Sequence, residues 1–110
     1  MKYKFTEAEA FKFGWNGLDG LAYSSKDDFD FASTAVFNVT KSHGKCKSTL
    51  CNRVYYVIEG QGKFIIAGKD IEVSASDVVI VPKNTEYDYV GKMKLFLVHT
   101  PAYDASCEVG

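Results

Sequence analysis

Arg53-Val-Tyr-Tyr-Val-Ile-Glu-Gly-Gln-Gly62 is the stretch whose reading decides the fold. Residues 54–58 form an unbroken β-branched and aromatic run bounded by Gly60 and Gly62. This predicts a strand buried on both sides that runs into a tight turn. Both glycines suit positive φ, and residues 63–67 resume the strand pattern at once, so a hairpin is expected here. Alternation puts Arg53, Tyr55 and Val57 on one face and Val54, Tyr56 and Ile58 on the other.

Working outward, residues 78–81 are a second wholly apolar strand, ended by Pro82. Ile71-Glu-Val73 alternates between them, with Lys69-Asp70 as the expected turn. Residues 87–90 and 93–99 read as further strands separated by a turn at Gly91-Lys92, and Pro101 closes the last one. Toward the amino terminus, residues 29–40 alternate and are rich in Phe, Val and Thr, as in a long strand. Leu21-Ala-Tyr23 is a short strand. Asn16-Gly17 and Asp19-Gly20 are both turn signals, and residues 1–14 form an edge strand or an irregular arm. Residues 41–52 are polar and basic, forming a loop or a loop-flanked edge strand. Short strands joined by turns, with no helical stretch, predict an all-β antiparallel sandwich or barrel.

The whole chain sets bounds on this. Its 110 residues make a single domain, 46% hydrophobic and 25% charged, with 15% aromatics that favour sheet. A net charge of −1 offers no broad electrostatic footprint for nucleic acid. No apolar run is long enough to span a membrane and the amino terminus has no signal core, so no membrane partner is expected and the cytoplasm is the expected location. Three cysteines, Cys46, Cys51 and Cys107, argue against a paired disulfide framework. His43, Cys46 and Cys51 could form an irregular metal site, but the paired C-x-x-C spacing of structural zinc modules is missing.

Residues 34–104 resemble the cupin superfamily, small barrels of jelly-roll type. Tyr55-Tyr-Val-Ile-Glu-Gly60 is similar to the end of the first cupin motif, Ser76-Asp-Val-Val-Ile-Val-Pro82 to the start of the second, and Thr100-Pro-Ala-Tyr-Asp104 to a common cupin ending. The resemblance implies a single cupin-type jelly-roll β-barrel over residues 1–110, with residues 1–20 as an amino-terminal arm or edge strands. It also implies homodimers, since cupins commonly pair through a sheet face. The family's metal-ligand positions fall here on Cys46, Ser48, Arg53 and Tyr87. A thiol, a hydroxyl, a guanidinium and a phenol are a poor donor set for a first-row divalent cation. Neither a metal nor another cofactor is therefore expected.

Arg53 has two readings. It pairs with an acidic neighbour or lies at an exposed strand end, or its planar fork takes the lost metal's place and binds a carboxylate or phosphate. No neighbouring strand offers an obvious inward carboxylate, which leaves a ligand as its partner. Tyr55 and Tyr87 would then be walls, with Ser48 and His99 as polar contacts. The expected ligand is a small anionic or polyhydroxylated molecule: a carboxylate, a phosphosugar or something sugar-like. One alternative is a metal-independent sugar isomerase or epimerase using His99 and Tyr87 as its acid–base pair. Another is a degenerate cupin that works through dimerisation or partner contact.

Overall fold

The computed structural model of the chain describes residues 2–15 and 18–109. Among the described residues the regular secondary structure is almost wholly strand. The strands are β1 (Phe11–Trp15), β2 (Leu18–Ser24), β3 (Ser33–Val39), β4 (Lys47–Ser48), β5 (Asn52–Ile66), β6 (Lys69–Ser74), β7 (Val78–Val81), β8 (Tyr87–Thr100) and β9 (Glu108–Val109). Seven of them form one antiparallel sheet in the order β1-β2-β3-β8-β5-β6, with β7 also on β5. This is the expected all-β jelly roll. The small pair β4-β9 stands apart from the sheet. No described helix is long and apolar enough to cross a membrane.

The hairpin expected at Gly60 and Gly62 is absent. β5 runs through both glycines as one strand of 15 residues, and β8 runs through Gly91 as one of 14. The two long strands pair along nearly their whole length, with an irregularity between Val57 and Glu59. The glycines serve the crossing of two backbones rather than a turn. Gly62 lies opposite Gly91, and a Cβ on Gly91 would come within 2.6 Å of the Gly62 Cα. A Cβ on Gly60 would come within 2.1 Å of the Lys92 carbonyl oxygen, and Gly60 also has a φ of +87°. Bulges and glycines in strand interiors commonly mark such bends and close approaches. The β5–β6 turn falls at Ala67-Gly68, both at positive φ, two residues before the expected Lys69-Asp70.

Burial on both faces is also corrected. Arg53, Tyr55 and Val57 are buried, but Tyr56 is 40% exposed, and on β7 Val78 and Ile80 are 58% and 62% exposed. The apolar runs therefore have one inward face and one outward face. At the amino terminus Asp19 and Gly20 lie within β2 and form no turn. Gly20 is opposite Phe13, whose ring occupies the space a Cβ would need. Asn16-Gly17 lies outside the described residues. The arm is ordered as a 3₁₀ turn (Glu7–Glu9) and edge strand β1 on β2. β3 is shorter than the expected long strand, and Phe29 and Phe31 pack together ahead of it, with Phe5 against Phe29.

Candidate functional site

Three adjacent strands present their inward residues in rows. Ser33 of β3, His99 of β8 and Arg53 of β5 are paired across the sheet, and one step along come Ala35, Leu97 and Tyr55. These two rows line a cavity of about 410 Å³, closed elsewhere by Phe11, Phe13, Tyr87 and Tyr103 and by His43 and Glu108. The following row, Phe37, Leu95 and Val57, belongs to the packed core, and the Phe37 ring also borders the cavity. The cavity thus opens where small and polar residues replace large apolar ones.

Arg53 turns inward and is buried, as its shared face with Tyr55 predicts. Its partner is an internal acid and not the ligand expected from the lack of an inward carboxylate on the neighbouring strands. Nη2 is ion-paired with Glu108 Oε1, and Nε donates to His99 Nε2 at 3.1 Å. The acid arrives from β9 at the carboxyl end of the chain, 55 residues away in sequence. Burial opposes a charge on Arg53, but the Glu108 carboxylate bound to it keeps it firmly protonated. Since His99 Nε2 accepts from Arg53, this imidazole is neutral. Burial, with Arg53 beside it, lowers its pKa to about 3. Its one lone pair is already engaged, so the expected His99–Tyr87 acid–base pair lacks a base.

The second histidine at the cavity is His43, on a loop held in three places. Its amide donates to the Tyr89 carbonyl at 2.9 Å, and the Cys46 and Tyr87 backbones exchange two bonds at 2.9 Å. Asp88 clamps the loop tip, accepting from Ser42 Oγ at 3.1 Å and from the Gly44 amide at 2.8 Å. These contacts lay the imidazole on the aromatic floor, 4.7 Å from the Tyr89 ring centre and 6.0 Å from that of Tyr87. Nδ1 lies 2.9 Å from the Gly44 carbonyl oxygen, which can only accept. That bond makes Nδ1 the protonated nitrogen of the neutral ring and puts the lone pair on Nε2. Burial depresses the His43 pKa, which the Gly44 bond only partly offsets, so the neutral form prevails at physiological pH.

Three phenols lie together here, Tyr55 and Tyr87 in the cavity lining and Tyr89 packed behind them. Tyr55 and Tyr87 share a 2.6 Å hydroxyl–hydroxyl bond, and Tyr89 Oη is buried with no hydrogen-bond partner among the described residues. Burial raises the pKa of all three, so they remain O–H donors. Within the Tyr55–Tyr87 pair one hydroxyl donates to the other, leaving one O–H proton for a third group.

Of the sequence-predicted residues, Arg53, Tyr55, Tyr87 and His99 line the cavity. Ser48 does not join them. It is buried in a turn, where its Oγ accepts from the Leu50 and Cys51 amides at 3.2 and 2.9 Å. His43 and Cys46 meet at 3.6 Å, while Cys51 points to the Pro101 carbonyl oxygen at 3.3 Å. Among the described residues no three His, Cys, Asp or Glu side chains converge as metal ligands. The guanidinium of Arg53 in the cavity wall is a further obstacle to a cation. The residues present do not fit the metal typical of the fold. All three cysteines are free, and burial raises the Cys46 thiol above its ordinary pKa, against a nucleophilic role.

His43, Glu108 and Tyr103 were missed because they come from irregular or terminal segments without periodicity. The available signal was positional: the loop after β3 and the segment after Pro101 both return to the start of β5.

The family described as ethanolamine utilisation protein EutQ matches residues 48–106. No curated protein matches the chain. Among solved structures, Streptomyces PAC13, described as a unique nucleoside dehydratase, is similar at TM-score 0.91 and 30% identity, over 99% of this chain and 90% of that one. Variants of that protein, one with a histidine replaced by glutamine and two with a tyrosine replaced by phenylalanine, have been solved with uridine at 29% identity to this chain. KdgF from Halomonas sp. shares the fold at TM-score 0.82 and 12% identity, over 96% of this chain and 99% of that one.

Proposed function

Because the chain belongs to the EutQ family of the cupin superfamily, we propose that its barrel cavity binds a nucleoside- or sugar-like molecule and catalyses metal-independent elimination of water. The observation that carries this reading is His43. It is a half-buried neutral imidazole that lines the cavity together with Tyr87, its tautomer fixed by Gly44. Such a base removes a proton from a sugar carbon next to a carbonyl group. The electron pair moves onto the carbonyl oxygen, where a tyrosine O–H stabilises the developing charge without ionising. The enolate then re-forms the carbonyl and expels the hydroxyl one carbon further on. The imidazolium returns its proton to that hydroxyl, which leaves as water, and the enzyme is restored. The resemblance to a nucleoside dehydratase supports the substrate class, and the phenyl rings of Phe11, Phe13 and Phe37 lining the cavity suit a planar base.

The test is calorimetric titration of uridine into protein dialysed against a chelator. One site per chain, with affinity unchanged by chelation and retained in His43→Gln, is expected. No binding, or binding restored only by a divalent metal, would refute the reading.

One observation favours self-association in addition. Tyr56 lies opposite Val78, and the neighbouring pair is Val54–Ile80, so exposed Tyr56, Val78 and Ile80 form one apolar outer patch. A homodimer through this face would cover it. Sedimentation at micromolar concentration should give twice the monomer mass, and Ile80→Lys should abolish that. A monomer throughout excludes it.

A further inference from the structure

We infer that Glu108 makes the cavity selective for neutral ligands that donate a hydrogen bond, and that it turns away anions. This rests on the reading of the cavity as a ligand site and deepens it toward the charge class of the ligand. Arg53 supplies a positive charge, but Glu108 is bound directly to it. His43 and His99 add no charge at neutral pH, because burial depresses both. Tyr55 and Tyr87, which line the cavity, are neutral donors. The cavity wall is therefore balanced rather than cationic, and the anchor for a carboxylate or phosphosugar expected at Arg53 is already occupied.

Glu108 has a second oxygen. Oε2 is buried and has no hydrogen-bond partner among the described residues, although Glu108 lines the cavity. A carboxylate oxygen only accepts, and leaving one unmatched in a low-dielectric setting is costly. A ligand O–H or N–H at that point removes the cost. A phosphate or carboxylate there places two negative charges together, and it reaches the remaining donors of Arg53 only within the field of Glu108. The same residue thus rewards a free nucleoside and penalises its phosphate ester. β9 holds Glu108 in place by pairing with β4, Ser48 against Glu108.

The experiment compares uridine, uridine 5′-monophosphate and inorganic phosphate by calorimetry on wild type and Glu108→Gln. In wild type the monophosphate is expected to bind at least about tenfold more weakly than uridine, with no measurable phosphate binding. Glu108→Gln frees the charge of Arg53. It should gain phosphate and monophosphate affinity by about tenfold or more while losing a similar factor for uridine. Wild-type phosphate binding, or a monophosphate-to-uridine ratio unchanged in Glu108→Gln, overturns the inference. If uridine binds to neither protein, the nucleoside reading fails on its own. The phosphate arm still decides, since a gain in Glu108→Gln upholds the inference and no gain overturns it. Should that variant not fold, phosphate binding to wild type decides alone.

Discussion

The same three strands build two unlike interiors. At one end of the barrel Phe37, Val39, Val57, Met93 and Leu95 meet with Leu18, Phe64 and Val73 in a solid apolar core. At the other, Ser33, Arg53, Tyr55 and His99 face a cavity, joined by His43 and Glu108 from outside the main sheet. Arg53 and Val57 lie on one face of β5, four residues apart, and His99 and Leu95 repeat that spacing on β8. The first end holds the fold by burial alone. The second buries charge and hydroxyls at a cost that only matched partners offset, and it keeps space open.

The contrast is sharpest at Arg53. Removing it by Arg53→Ala leaves the half-buried Glu108 unpaired, with one carboxylate oxygen fully buried, and should destabilise by about 3–5 kcal/mol, measured by urea unfolding. A loss below about 1 kcal/mol would mean that the pair is solvated, as at an ordinary surface. Leu95→Ala, at the packed end, should cost about 2–5 kcal/mol. There the affinity of the folded fraction for uridine should be unchanged, whereas a comparable change in the cavity row, such as Leu97→Ala, should alter it.

Acid should separate the two ends as well. His99 is neutral when folded, with its pKa near 3, against an ordinary value of 6.5. The unfolded chain therefore binds the extra proton between those values, and stability falls as pH drops from about 6.5 and levels off above it. By pH 4.5 the loss from His99 alone is roughly 2 kcal/mol. His43 is shifted in the same direction. The unfolding midpoint of His99→Gln should decline less steeply than that of wild type between pH 6.5 and 4.5. Equal slopes would contradict a buried neutral His99. The smallest effect belongs to Tyr87→Phe. Breaking the Tyr55–Tyr87 hydroxyl bond should cost about 1 kcal/mol, and a larger loss would mean that the pair supports the fold as well as the site.

The two ends also differed in how far they could be read from sequence. Alternation along residues 53–57 was enough to turn Arg53 and Tyr55 inward, because period-2 patterning is local. The jelly roll itself was legible in the motif stretches around Gly60 and Pro82. Gly60, Gly62 and Gly91 were misread as turns, since positive φ and steric crowding between crossing strands select the same residue. Glu108 was out of reach for another reason. Its meeting with Arg53 depends on where the chain goes after Pro101, a path with no periodicity to follow. His43 was visible as a histidine in a polar loop, but its seat on Tyr89 is set by Asp88 and by backbone bonds to β8 that no pattern announces.

The central claim is that His43, at the open end, takes a proton from the substrate without a metal. It is tested most directly by giving a nucleoside with a carbonyl group on its sugar to chelator-dialysed wild type and to His43→Gln, and following water loss by NMR. Wild type should turn over at full rate after chelation. His43→Gln, equally stable and binding uridine equally well, should be slower by about 10²–10⁴-fold. Undiminished turnover in His43→Gln, or wild-type activity that chelation removes and a divalent cation restores, would contradict the account.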